Sequence, residues 1–176
     1  WVGVVILAGV FVTRIISIYS MHYPMVSLDP RDANLLLEFV KLIIPILSFA
    51  LACFLIVSIV GGESTLMELF TAFSISMVPY IYINLFLSAL SKVLSRQEEG
   101  LFVFLAVCSV LIPVLLMLLS IHLLNNYSLG KTVLVAVLGM LLMLLIWIVI
   151  LMVAALSVQL YEFVIGIVNE IRMLSL

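Results

Sequence analysis

Charge is what this chain has least of. Seven Lys and Arg and nine Asp and Glu are spread over 176 residues, with no basic run, which excludes an electrostatic surface for nucleic acid. Aspartate occurs only as Asp29 and Asp32, both in a Pro-containing stretch, so no aspartyl dyad lies in an apolar run. There is no His-Glu-x-x-His and no Gly-x-Ser-x-Gly, the spacings that present a zinc site or a serine nucleophile. His22 and His122 fall in separate connectors, while Cys53 and Cys108 each sit inside an apolar run and read as small packing residues. No catalytic, cofactor-binding or metal-binding constellation is present, so the chain is expected to be non-enzymatic and without a cofactor.

What it has in excess is apolar surface. Hydrophobic residues make up 67% and charged residues 9%, against about half and about a quarter in a soluble domain. Too few polar side chains remain to cover a surface facing water, and the mean hydropathy of +1.49 points the same way. The composition predicts an all-α, polytopic transmembrane bundle. A helix crosses the hydrocarbon core in about 20 residues, and the uncharged runs place five spans near 1–19, 42–61, 68–92, 101–124 and 131–161 of a single helical domain. Arg14 lies close enough to the end of the first run to snorkel, and Glu38 and Lys41, three apart, can pair on one helix face. Between them, Pro24 and Pro30 interrupt any helix, and "LDPRDAN" carries turn and cap residues. Short connectors predict antiparallel packing of consecutive helices. The last run stays uncharged as far as Glu162, ~45 Å of helix, so it either tilts or projects from the bilayer. The chain opens at Trp1 in mid-run, and a further N-terminal segment is expected to precede it.

The third span is the most informative. In "FSISMVPYIYINLFLSALSK", Ser76, Tyr80, Asn84 and Ser88 recur every fourth residue, one polar stripe on an apolar helix. Pro79 near its middle frees a carbonyl and allows a kink, as do Pro45 and Pro113 in their own spans. Polar groups at such depth face protein or a water-filled path, so the stripe reads either as helix–helix hydrogen bonding or as a substrate or docking face. No span holds a central acid or base able to relay a proton, which argues against transport of a charged solute by this chain alone.

"NNYSLGKT" ends like a phosphate-binding loop, but the position needing the first glycine is Asn125, and an apolar run rather than a strand precedes it. It reads as a turn: Asn125 and Asn126 close one helix, Ser128 caps the next, and Lys131 marks the membrane boundary.

Taken in order, "GGESTLMELFTAFSISMVPYIYIN", "LSRQEEGLF", "HLLNNYSLGKTV" and the closing "QLYEFVIGIVNEIR" resemble the membrane domain of the Yip (Ypt-interacting protein) family, bacterial branch. The matching positions are Gly61, Gly62 and Ser64; Val78, Pro79 and Tyr80; Glu98 and Glu99; then His122, Tyr127, Ser128, Gly130, Lys131 and Thr132. Glu63 and Glu68 stand where that family usually has lysines, no tryptophan lies near Ile112 and Pro113, and the gap after His122 is longer, as in a divergent member. The resemblance implies five helices with a cytoplasmic N-terminus and cytoplasmic connectors at 61–68 and 125–132. The visible charges alone, Arg31, Lys92, Arg96 and Arg172 against Lys131, imply the reverse; the preceding segment, typically basic in the family, reconciles the two.

The expected role is a non-enzymatic accessory subunit in a bacterial cytoplasmic membrane. It would pack against other integral membrane proteins within the lipid bilayer, and the resemblance suggests permeases of a carbohydrate ABC importer as partners. Ser76, Pro79, Tyr80, Asn84, Ser88, Tyr127 and Lys131 are the candidate interaction or packing residues. The alternative is a lipid-handling or membrane-shaping bundle of scramblase type, in which the stripe would line a headgroup path.

Overall fold

The computed structural model describes residues 1–20, 34–94 and 96–174. The expected breaks at Pro24 and Pro30 lie outside the described residues. Among the described residues six helices form: α1 (Val2–Ser20), α2 (Leu35–Val60), α3 (Leu66–Ser76), α4 (Val78–Leu90), α5 (Glu99–Asn125) and α6 (Leu129–Leu174), with one 3-10 turn at Arg96–Glu98. Among the described residues there is no strand. Five stretches are long and apolar enough to cross a membrane: Val2–Ser20, Leu35–Val60, Leu66–Leu90, Glu99–Asn125 and Leu129–Phe163. The protein is an all-α, multi-pass membrane protein.

Two of these stretches differ instructively from the sequence reading. The second begins at Leu35 rather than near 42, because Asn34 caps it. The Asn34 Oδ1 accepts from the backbone N–H of Leu36 at 3.1 Å and of Leu37 at 3.3 Å, which satisfies donors that a helix start otherwise leaves open. Glu38 and Lys41 therefore ride inside the helix. The third is interrupted at Met77, one residue before Val78-Pro79, and Tyr80 N–H turns to the Met77 carbonyl at 3.1 Å instead of a carbonyl four residues back. Proline has no N–H to give and its ring crowds the preceding turn. By contrast, α2 and α5 continue without a break through Pro45 and Pro113.

The chain divides into two compact units, Trp1–Met140 and Leu141–Leu176. The second is helical through Leu174, and its residues 141–163 are apolar on nearly every face, as a helix embedded in lipid should be. The first is a bundle built around the third span, which packs against α1, α2 and α5. Its register with α1 is fixed at three heights. Gly3 lies against Ser74, Gly9 against Ile81, and the Ser17 hydroxyl meets that of Ser88 at 3.2 Å. The two elements thus run parallel, each α1 residue level with one about 71 positions later.

In lipid, helices gain little from burying apolar surface on one another, so close packing of small groups matters more. Ala50, Ala52 and Cys53 of α2 are fully buried, and the first turns of α6 close on them through Val135, Ala136 and Gly139. A Cβ at Gly139 would stand 2.8 Å from the Cys53 Sγ. Stacked Phe49 and Phe73, with ring centroids 5.4 Å apart, fill the space between α2 and α3.

Candidate functional site

The polar stripe of the third span points into the bundle. Ser76, Asn84 and Ser88 are buried and Tyr80 is half-buried. Each hydroxyl or amide first bonds back one turn on its own helix: Ser76 Oγ donates to the Ala72 carbonyl, Asn84 Nδ2 to Tyr80, and Ser88 Oγ to Asn84, all at 2.9 Å. The serines then reach across. Ser76 pairs with Ser120 of α5 and Ser88 with Ser17 of α1, both at 3.2 Å between hydroxyl oxygens. The stripe is a hydrogen-bonded seam that joins the third span, α3 and α4, to α5 at Ser120 and to α1 at Ser17. Pro79 sits at the break that lets Tyr80 turn toward α1.

Sequence reasoning missed the charged end of this seam. The Arg14 Nε donates to the Glu38 Oε2 at 2.9 Å, linking α1 to α2, and the Lys41 Nζ lies 3.7 Å from the other carboxylate oxygen. The Glu38 side chain is only 10% exposed against 36% for Arg14, so the carboxylate is drawn inward and neutralised there. The Tyr80 phenol lies beside the Arg14 guanidinium. Next to them is a cavity of about 100 Å³, walled by apolar residues including Val10, Leu42, Met77 and Pro113. Arg14 carries no helical periodicity, so its link to Glu38 could not be read along one helix.

A second assembly forms at the opposite end of α2. There the connector after α2 and the connector after α5 interlock. Both helices end with a left-handed residue, Gly61 (φ 76°) and Asn126 (φ 48°), the conformation that turns the chain and returns N–H groups to the last carbonyls. Gly62 N–H reaches the Val57 carbonyl at 2.8 Å, and Tyr127 N–H reaches that of His122 at 3.3 Å. The Asn125 Oδ1 accepts from Ser64 N–H at 3.1 Å, crossing from one connector to the other. Tyr127 is 6% exposed, with its ring beneath the Lys131 ammonium at 4.0 Å and its hydroxyl packed on Gly62. The Lys131 Nζ also approaches the Val60 carbonyl at 3.4 Å, where a cation offsets the negative end of α2. Burial raises the Tyr127 hydroxyl above its ordinary pKa. Ser128 contributes its carbonyl to the start of α6, accepting from Thr132 N–H at 2.9 Å. The connector after α2 ends in a reciprocal cap on α3: Thr65 N–H donates to the Glu68 carboxylate at 2.8 Å and Glu68 N–H to the Thr65 hydroxyl at 3.3 Å.

The structure thus separates the sequence candidates into two groups. Ser76, Pro79, Tyr80, Asn84 and Ser88 share the internal seam, and Tyr127 and Lys131 share the interlocked turns. Among the described residues, no three His, Cys, Asp or Glu side chains stand close enough together to hold a metal ion. The seam makes a measurable claim on stability: Ser17→Ala and Ser88→Ala should show a coupling energy of about 0.6 kcal/mol in a double-mutant cycle, the average for hydrogen bonds between membrane helices. Additive losses in unfolding by SDS would mean that the 3.2 Å contact contributes nothing.

No protein-family model matches this chain, and no curated protein or solved structure matches it.

Proposed function

We propose that this protein is a non-enzymatic accessory subunit that packs against other integral membrane proteins. The observation that carries this reading is the closure of the polar stripe: the hydroxyls of Ser76 and Ser88 and the amide of Asn84 bond within the bundle. A headgroup path needs polar side chains free to exchange partners with a passing ligand, so this arrangement favours packing over passage. The interlocked turns supply a rigid surface for a partner, with Glu63, Asn126 and Ser128 exposed around the buried Tyr127.

The resemblance to the Yip membrane domain gains support from the same place. Gly61, Gly62 and Ser64 match one of its motifs and Tyr127 and Lys131 another, and the two groups meet across more than sixty residues of chain. On that reading the interlocked turns face the cytoplasm of a bacterial cell, and the partners are permeases of a carbohydrate ABC importer. Purification from native membranes in mild detergent, followed by mass spectrometry, tests the proposal. A permease subunit in stoichiometric amount is the expected result. A monomer carrying lipid but no protein partner would remove the accessory-subunit reading.

A further inference from the structure

We infer that the α1–α2 seam binds the phosphodiester headgroup of an anionic phospholipid, held by Arg14 and Lys41. Arg14 and Lys41 both form their ion pairs with one carboxylate, Glu38, so among the described residues the group carries one excess positive charge. The guanidinium gives its Nε to Glu38 and a further donor to the Tyr80 phenol, and its remaining N–H groups suit a phosphate oxygen. An unbalanced cation at the edge of a bilayer is costly unless an anion or water reaches it.

Arg14 lies six residues before the end of α1 at Ser20, ~9 Å along the axis, a depth from which a long side chain reaches the headgroup layer. Lys41 stands in the second turn of α2 with its side chain 64% exposed.

Leu37, Lys41 and Ile44 follow one face of α2, and Leu51 continues it toward the other end, all three apolar residues exposed at 39–44%. A phospholipid whose phosphate meets Lys41 would lay an acyl chain along Ile44 and Leu51. Beside it, Phe11 and Phe39 close the seam edge to face at 5.1 Å. Basic groups between transmembrane helices above an apolar stripe suit anionic lipids. Phosphatidylcholine brings its own ammonium and cannot offset the excess charge, whereas phosphatidylglycerol can.

Native mass spectrometry of the purified protein, titrated with phosphatidylglycerol or phosphatidylcholine of matched chains, tests the site. Phosphatidylglycerol should bind about fivefold more tightly or better, the order expected for one cation near a membrane surface. Lys41→Gln should reduce that preference to below about twofold and Lys41→Arg should keep it. Lys41 is exposed, so neither change threatens folding, and Arg14→Gln serves as a second probe where it folds. Inorganic phosphate at tens of millimolar should leave the adduct in place. Equal binding of the two lipids, or an unchanged preference in Lys41→Gln, would overturn the proposal. Displacement by inorganic phosphate would overturn the lipid as its source.

Discussion

Gly62→Ala is expected to destabilise the bundle by about 2 kcal/mol, the scale of overpacking a well-filled site, read as a lower midpoint in SDS unfolding. The added methyl would enter space held by the Val57 Cγ1, the Tyr127 hydroxyl and the Asn125 Oδ1. Val57 is fully buried and cannot step aside. Tyr127 can move only by lifting its ring against Lys131, and Asn125 only by giving up its bond to Ser64. One methyl therefore disturbs both connectors at once. Gly61→Ala is the control. Nothing lies near its Cβ, but its φ of 76° is strained for any side chain, at ~1 kcal/mol. Tyr127→Phe separates the causes further. The hydroxyl it removes has no hydrogen-bond partner among the described residues, so the single change should be nearly neutral while restoring part of what Gly62→Ala loses. Wild-type stability in Gly62→Ala would show that the connectors are not interlocked as described.

Glu38→Gln should be the most damaging change in the charged group, costing about 3 kcal/mol in neutral detergent, as when one partner of a buried pair is removed. It leaves Arg14 and Lys41 without their shared carboxylate and repelling each other. Arg14→Gln should cost less, about 1 kcal/mol, because Glu38 keeps Lys41 at 3.7 Å. Pairing Arg14→Leu with Glu38→Leu should recover most of the loss, since two apolar side chains replace two desolvated charges. Thermal unfolding of the four proteins side by side ranks them, and a Glu38→Gln protein more stable than Arg14→Gln would refute the shared-carboxylate account. Anionic lipid should restore part of the Glu38→Gln loss, because its phosphate stands between the same two cations.

The spans were legible because lipid imposes one rule on every residue of a crossing helix, and the apolar runs obey it. The stripe was legible for the same reason: spacing of four on a helix means one face, and Ser76 to Ser88 keep that spacing. The Glu38–Lys41 contact follows from spacing as well. What spacing cannot supply is the far side of each contact. Ser120 is a single hydroxyl in an apolar run and Ser17 follows Thr13 by one turn, and the role of each appears only when α1 and α5 are laid beside the third span. Arg14 meets Glu38 because α1 and α2 cross at that height, a property of packed surfaces rather than of either segment. The early start of α2 was hidden by its own charges, since Glu38 and Lys41 mimic a membrane boundary until Arg14 is placed among them. Gly62 and Tyr127 stood in motifs, yet their contact depends on two connectors more than sixty residues apart.

The parallel register of α1 with the third span also bears on how the protein is made. Ser17 meets Ser88, 71 residues later, and a ribosome adding ~5–20 residues per second needs roughly ten seconds to cover that distance. During that interval α1 has left the ribosome while the helix that completes its polar face has not been synthesised. Until then Ser17 lacks the hydroxyl that it meets in the finished bundle, whereas the Thr13 hydroxyl already bonds to the Gly9 carbonyl and Arg14 waits only for Glu38. Helix α1 is thus tied to α2 at Arg14 before its face is closed at Ser17.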